Sequence, residues 1–337
     1  MNLETVPTLT AVPAAEWDHL ARDTSLYLSH RWLAGEETDP SATCTYLLVR
    51  DPHGRLTAAA PLYLVHDEPN TNYRPEHHLD VGQDEAPRVI AGARRGYHNA
   101  PLLAPGLDGR QRADCLTMLR DAAREHAARY STWHWWPYLT DRAATELGDS
   151  YGTAPRRIED DATISLPGTG FDDYLAALPA KRRSGIRGER RAFDARALTV
   201  RTEPLANCVD DAGRLLAILQ RRHGHVTDTA AMTGVMRRQA QAMGEDAQVT
   251  AAYDGPAMVG FSLVYHFGNT AWLRAVGHDP EHTGDAFEYF NLAYYLPIED
   301  AYRHGCTHLH AGMKSLAAKR ARGAHTSPLW ALADPPR

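Results

Sequence analysis

The sequence predicts an α/β protein with mixed sheets, built as two similar units that meet near residue 160. Three observations lead there. At about 150 residues per domain, 337 residues make roughly two domains. The second half reads as helices, a meander of three strands, then a helix and a strand. The first half reads as a shorter version of that order, and strands that meander make a sheet mixed rather than doubly wound. The predicted units are residues 1–160 and 161–337.

In chain order, helices are predicted at Ala14–Arg22 and Ser29–Gly35, then strands at Thr43–Arg50 and Leu56–Leu64 around the turn Asp51-Pro52-His53-Gly54. Pro61 places the second strand at an edge or a bulge, because proline cannot donate to a ladder. Residues 66–110 are rich in Pro, Asn, His and Gly and read as loop. Arg112–Arg129 has apolar residues near helical spacing, and Thr132–Trp136 is strand-like. Asp149–Asp161, with Gly152, Pro155 and four acids, reads as a linker. Beyond it come a strand (Ala162–Leu166) and helices at Phe171–Leu178 and from Pro179 to about Arg196, Pro179 suiting a first turn that needs no N–H there. A strand (Leu198–Thr202), helices (Cys208–His223, Thr229–Met243) and strands (Val249–Tyr253, Ala257–His266, Asn269–Gly277) come next. A long helix (Ala286–His304) and a short strand (Thr307–Ala311) close the pattern.

Composition narrows the function. A content of 43% apolar and 23% charged residues is that of a folded globular chain, not a disordered tail. No apolar run reaches the ~18 residues of a membrane span, and the first residues show no basic and apolar signal pattern. Four scattered cysteines without a Cys-x-x-Cys pair fit free thiols in a cytoplasmic setting. The net charge of −6 argues against a general nucleic-acid coat, hence against DNA binding and for no membrane partner, but leaves room for one basic patch.

That patch is residues 181–196, with seven basic and two acidic side chains. On a helix, Arg183, Arg187, Arg190 and Arg191 fall within an arc of about 100°, Lys181 adds a further basic side chain at the start of the segment, and Ile186 and Phe193 anchor a neighbouring face. Like charges at such spacing repel, and an anionic ligand offsets that cost because guanidinium grips phosphate bidentately. The alternative is a solvated helix with Glu189 and Asp194 pairing locally.

Trp272 to Gly277, followed by His278-Asp279-Pro280-Glu281-His282-Thr283-Gly284-Asp285, sits where the GNAT acyltransferase fold, which this order of elements resembles, carries its substrate strand and pyrophosphate loop. Arg274 on that strand is a candidate substrate contact. Only one loop glycine is present, and three acids stand where a diphosphate would lie, which argues against ordinary acetyl-CoA binding. In the aromatic helix after this loop, Glu288, Asn291 and Tyr295 share a face, with Tyr294 beside them. Glu288 there could orient or deprotonate an amine; the alternative is an interior acid serving the fold. Gly96-Tyr97-His98-Asn99 is a loop with three hydrogen-bonding side chains, Tyr97, His98 and Asn99, and a candidate acceptor site.

Three segments together resemble one family. Phe171-Asp172-Asp173-Tyr174-Leu175 with Lys181–Arg191, Phe287–Phe290 with Tyr294–Glu299, and Lys319-Arg320-Ala321-Arg322-Gly323 with Pro328-Leu329-Trp330 are similar to predicted N-acyltransferases related to the Fem-type peptidoglycan bridge ligases. Weaker echoes lie in Leu26–Leu33 and Ala58–Val65. The resemblance implies tandem GNAT-like domains, here without the Fem coiled-coil arm, because no charged heptad insertion is present. It implies amide formation from an aminoacyl-tRNA donor, on small amines in antibiotic pathways for some relatives, with Lys319 and Arg322 facing the donor. His310 stands where the family has an acid.

A lysine beside a forming tetrahedral oxyanion stabilises its charge, the role expected of Lys319. His310 is a candidate general base. Alternating His304, Cys306, His308 and His310 do not close a tetrahedral metal site on one strand, and no metal or bound cofactor is assigned. The leading expectation is an aminoacyl-tRNA-dependent N-aminoacyltransferase acting on a small amine in specialised metabolism. The basic residues, Arg322 included, would hold tRNA phosphates. An acyl-CoA-dependent N-acyltransferase and a catalytically inactive RNA- or partner-binding GNAT pair are the alternatives.

Overall fold

The computed structural model describes residues 1–80, 88–282 and 286–334. The chain divides into two compact units, residues 1–160 with the strand end from Ser327, and Asp161–Thr326. The tail from Ser327 therefore packs with the first unit, unlike the simple division of the sequence at residue 160, because it supplies that unit with a strand.

The first unit contains strands β1 (Asn2–Val6), β2 (Ala42–Arg50), β3 (Leu56–Val65), β4 (Arg88–Ala91), β5 (Leu102–Leu103) and β6 (His134–Leu139). Its helices are α1 (Ala14–Ala21), α2 (His30–Glu36), α3 (Gly109–Ala128) and α4 (Asp141–Tyr151). The second unit holds β7 (Arg156–Ser165), which starts in the first, then β8 (Thr199–Pro204), β9 (Gln248–Asp254), β10 (Ala257–Phe267), β11 (Thr270–His278) and β12 (His308–Met313). Its helices are α5 (Phe171–Ala176), α6 (Ala180–Asp194), α7 (Val209–Arg222), α8 (Thr229–Met243), α9 (Glu288–Phe290), α10 (Leu296–Arg303) and α11 (Leu316–Arg320). The last strand, β13 (Ala324–Asp334), ends in the first unit.

The two units repeat one strand pattern. In the first, β1-β2-β3-β4 is an antiparallel meander, β4 runs parallel to β6, and β13 closes antiparallel on β6. In the second, β8-β9-β10-β11 is the meander, β11 runs parallel to β12, and β7 closes antiparallel on β12. Thus β13 takes in one unit the place that β7 takes in the other.

Several expectations are corrected here. The supposed linker contains the end of α4, stopped by Gly152 in the left-handed conformation (φ 67°), and the first half of β7. The loop-rich stretch supplies β4 and β5. Strand β3 is central, not an edge: β5 pairs with Ala58–Ala59 and β4 with Leu62–Val65, so Pro61 sits where the ladder changes partner and its missing N–H costs nothing. The long aromatic helix is interrupted by a π turn at Asn291–Tyr295 between α9 and α10.

Each unit has its own core. Leu47, Leu62, Leu119, Trp136, Leu147 and Leu332 are among the buried residues of the first, Ile164, Tyr174, Ile186, Tyr294, Ile298 and Leu309 of the second. No helix among the described residues is long and apolar enough to cross a membrane.

Candidate functional site

The most chemically unusual cluster of the second unit forms at the end of β12. Opposite β7 the register shifts between His310 and Gly312, so Ala311 is an extra residue that bends the strand. Gly312 then takes φ +72°, and Lys314 (φ 61°) and Ser315 (φ 49°) are left-handed without being glycine. Such residues each hold strain of about 1 kcal/mol or more, and they turn the chain abruptly into α11. That turn brings Lys319 back under the strand end, where its Nζ donates to the carbonyls of Gly312 (2.7 Å) and Met313 (2.5 Å). Lys319 is only 5% exposed. Burial pushes its ammonium down to about 8, against the opposing pull of Asp161.

Asp161 on β7 lies diagonally across from His310 on β12, whose direct partner is Thr163; both are 1% exposed, with His310 Nε2 2.8 Å from Asp161 Oδ2. The His310 ring packs on Trp272, 4.6 Å between centroids. Asp161 therefore faces both expected catalytic groups, His310 by contact and Lys319 by charge. Sequence reading placed Asp161 in the linker; its signal was its position directly before a strand-like run.

Parallel pairing of β11 with β12 lasts only from Thr270/His308 to Trp272/His310, although β11 runs on to His278. Beyond that point the β11 edge from Leu273 leaves the β12 ladder. Arg274 is the extra residue of a bulge opposite Leu263 and Val264, half-buried on this diverging stretch.

The polar face expected on the aromatic helix is rearranged by the π turn, which adds a residue to one turn and rotates the residues beyond it. Tyr295 and Asn291 both reach α6: the Tyr295 hydroxyl donates to Glu189 Oε2, and Asn291 Nδ2 lies 3.4 Å from the Glu189 carbonyl and 3.0 Å from that of Phe287. Burial, then the Glu189 carboxylate, raises the Tyr295 phenol far above its usual range. Tyr294, 1% exposed, is core. Glu288, 2% exposed, instead meets Arg196 at 3.5 Å and the backbone N–H of Ala286 at 3.2 Å.

Arg322 is corrected from a phosphate ligand to a buried structural cation. It is 3% exposed, its Nη2 donates to Glu189 (2.9 Å), its Nε to Tyr295 (3.0 Å) and its Nη1 to Ala318 (2.9 Å), and it stacks 3.5 Å over the Phe290 ring. Glu189 thus holds α6, the π turn and the C-terminal signature together, a role not visible from its place among arginines.

The arginine comb is likewise divided. Arg183 donates to the last carbonyls of α5 and its exit, at 3.3 and 3.4 Å from Ala176 and Leu178, and Arg190 pairs with Glu299 at 2.7 Å while lying over Phe171. Arg187 stands 3.8 Å from the exposed Asp172, and Lys181, Arg187 and Arg191 remain exposed. In the loop ahead of α9, Asp279 accepts the Glu281 N–H (3.0 Å) and pairs with Arg214 and His282, while Asp285 lies outside the described residues. Gly284 lies outside the described residues.

In the first unit, Asn99 is corrected from acceptor contact to backbone clip. Fully buried, it accepts from the N–H of Ala93 and Ala100 and donates to the carbonyls of Ala91 and Pro137. A Cβ on Gly92 (φ +85°) would lie 2.1 Å from its Oδ1, so the pair is matched. Tyr97 packs edge-on against Tyr27 and Tyr138, and His98 is half-buried at φ 55°. An open cleft of about 180 Å³ among the described residues of this unit lies elsewhere, lined by Val65–Glu68, Tyr73–Glu76, Arg88 and Ile90.

Comparison with known proteins bears on this arrangement. The family model described as FemAB-like, peptidoglycan biosynthesis/recognition, matches residues 102–333. A search of curated proteins found no match. Among solved structures, FemX is similar with a TM-score of 0.67 at 13% identity, covering 97% of this chain and 95% of that one. A tandem GNAT protein from the clavulanic acid biosynthesis pathway gives 0.56 at 16% identity, covering 100% and 99%. L-PGS from Bacillus licheniformis gives 0.55 at 10% identity, covering 95% and 90%. Such identities establish a shared tandem GNAT-like fold, and the family match over residues 102–333 makes this chain a member of the FemAB-like family.

Proposed function

We propose that the protein is an acyltransferase that moves an aminoacyl group from aminoacyl-tRNA to a small-molecule amine. The observation that carries this reading is the group around Asp161: a buried lysine ammonium with a depressed pKa and a buried histidine, both facing one carboxylate. The amine nitrogen attacks the ester carbonyl, a C–N bond forms, the C–O bond to the tRNA ribose breaks, and the amine proton passes to the released hydroxyl. Lys319 stabilises the oxyanion of the tetrahedral intermediate in a site poor in water. His310, held by Asp161, takes and returns the proton. Glu288, paired with Arg196 at 3.5 Å, fits an orienting role better than that of a base.

A tRNA donor is favoured over acyl-CoA by the acids ahead of α9, where Asp279 and Glu288 accept the backbone N–H groups of Glu281 and Ala286 and place negative charge where a diphosphate would lie. The exposed Lys181, Arg187 and Arg191 supply cations for the acceptor stem. One observation favours the acyl-CoA reading: the early end of β11–β12 pairing exposes strand backbone to an extended ligand.

The test is amide formation from a mixed pool of charged tRNA and primary amines, with acetyl-CoA as the parallel donor. Product is expected with tRNA alone, abolished by prior ribonuclease, and reduced ~100-fold or more by Lys319→Ala. Product from acetyl-CoA that ribonuclease leaves unchanged selects the acyl-CoA reading. RNA binding with no product from either donor selects the inactive binding module.

A further inference from the structure

Away from this site, the end of β10 meets the last turn of α10 through three metal-ligating side chains. His266 is the penultimate residue of β10; Asp300 and His304 are spaced i, i+4 at the C-terminal end of α10 and so share a face. One ligand atom from each lies within 4.8 Å of the others. His266 Nε2 is 3.0 Å from Asp300 Oδ2, and His304 Nδ1 is 3.6 Å from Asp300 Oδ1. Ligands about 2.1 Å from a tetrahedral zinc stand roughly 3.4 Å apart, so the His266 and Asp300 ligand atoms open by a few tenths of an ångström around a shared ion.

We propose that His266, Asp300 and His304 bind a borderline divalent cation of the zinc class, with solvent completing its shell. The His266 Nε2 atom is buried and faces Asp300 Oδ2 at 3.0 Å. His304 Nδ1 lies 2.9 Å from the Asp300 carbonyl, which holds the ring proton there and leaves Nε2 with its lone pair. A backbone carbonyl partner of this kind commonly orients a metal-bound imidazole. The helix C-terminus adds partial negative charge. Two groups compete: Arg303, 62% exposed, sits 3.0 Å from Asp300 Oδ1, and the His266 and His304 rings stack at 3.9 Å. A bound ion displaces Arg303 and turns the half-exposed His304 ring out of the stack. The ion staples β10 to the helix that carries the π turn.

Chelator-treated full-length protein titrated with Zn2+ alone by calorimetry tests this. One equivalent is expected to bind, with a rise in Tm of about 5 °C at saturating ion, and Co2+ is expected to give the visible absorption of a four-coordinate site. His304→Gln and His266→Gln each weaken binding ~10-fold or more, Arg303→Met tightens it, and Mg2+ has no effect. His304 is half-exposed, so its variant keeps the fold, checked by circular dichroism. Absence of saturable Zn2+ binding overturns the proposal, as does wild-type affinity in both histidine variants, which would locate the ion elsewhere.

Discussion

Lys319 shows how a single side chain can oppose the fold that houses it. Its ammonium is buried with two carbonyl acceptors, and burial lowers its pKa from 10.5 to about 8. The unfolded chain then binds the proton more tightly than the native one, so the native state gains stability as pH rises from about 8 to 10.5, by roughly 3 kcal/mol in total. Below pH 8 that sum is a standing cost. Lys319→Met removes it while filling the same space, so the variant is expected to melt no lower than the wild type at pH 7, and to lack the alkaline rise. Transfer activity, which needs the ammonium, is expected to fall by ~100-fold in the variant and to decline above about pH 8 in the wild type. Thermal melts across pH beside initial rates decide it. A Met variant that melts well below wild type while keeping its rate would show a structural lysine. The place of this residue in the C-terminal signature was legible in the sequence. Asp161 was not, because the sequence shows charge but not which strand of a later segment lies opposite.

At the scale of elements, periodicity located what local forces decide. Thr229–Met243 emerges as α8 with the predicted bounds, since Asp228 caps it with a 2.7 Å bond to the Ala231 N–H. The π turn was invisible, because it is selected by packing: Glu189 on α6 draws Tyr295 and Asn291 toward one point. Likewise, the comb of α6 was visible as charge but its division was not. Arg190 and Arg183 serve neighbouring elements, whereas Arg187 and Arg191 face solvent. Exchanging the exposed pair for glutamate is thus expected to leave stability within ~0.5 kcal/mol and to weaken tRNA binding with a salt slope smaller by about 2. Arg190→Ala is expected to cost about 1 kcal/mol with little loss of slope. Filter binding across a salt series separates them. An unchanged slope in the Arg187→Glu, Arg191→Glu protein removes α6 from the nucleic-acid surface.

For the whole molecule, the repeated strand pattern makes the C-terminal segment a structural part of the first unit. The sequence showed Pro328-Leu329-Trp330 only as a signature, since a strand whose partner lies almost two hundred residues upstream has no local signal. In the structure Trp330 pairs with Leu139 and Asp334 with His134. Leu329, Ala331 and Leu332 are each 1% exposed, the Trp330 indole donates to Asp141 at 2.6 Å, and Arg124 clasps Asp334 at 2.7 and 2.9 Å. A chain ending at Thr326 strips β6 of this partner and leaves Arg124 with only the looser contact to Asp121, 4.0 Å away, beside a new apolar edge. Such a loss exceeds the 5–15 kcal/mol that holds an ordinary domain once the leucines, the ladder and the ion pair are removed together. Hydrogen exchange on the truncated protein is expected to show β6 and α3 unprotected while β9 to β11, whose partners all lie between Asp161 and Thr326, keep their protection. Arg124→Ala gives the graded version, about 3 kcal/mol from one broken bidentate pair with Asp334 mostly buried. If the shortened chain protects β6 as well as the full one does, β13 is an ornament on the first unit rather than its closing strand.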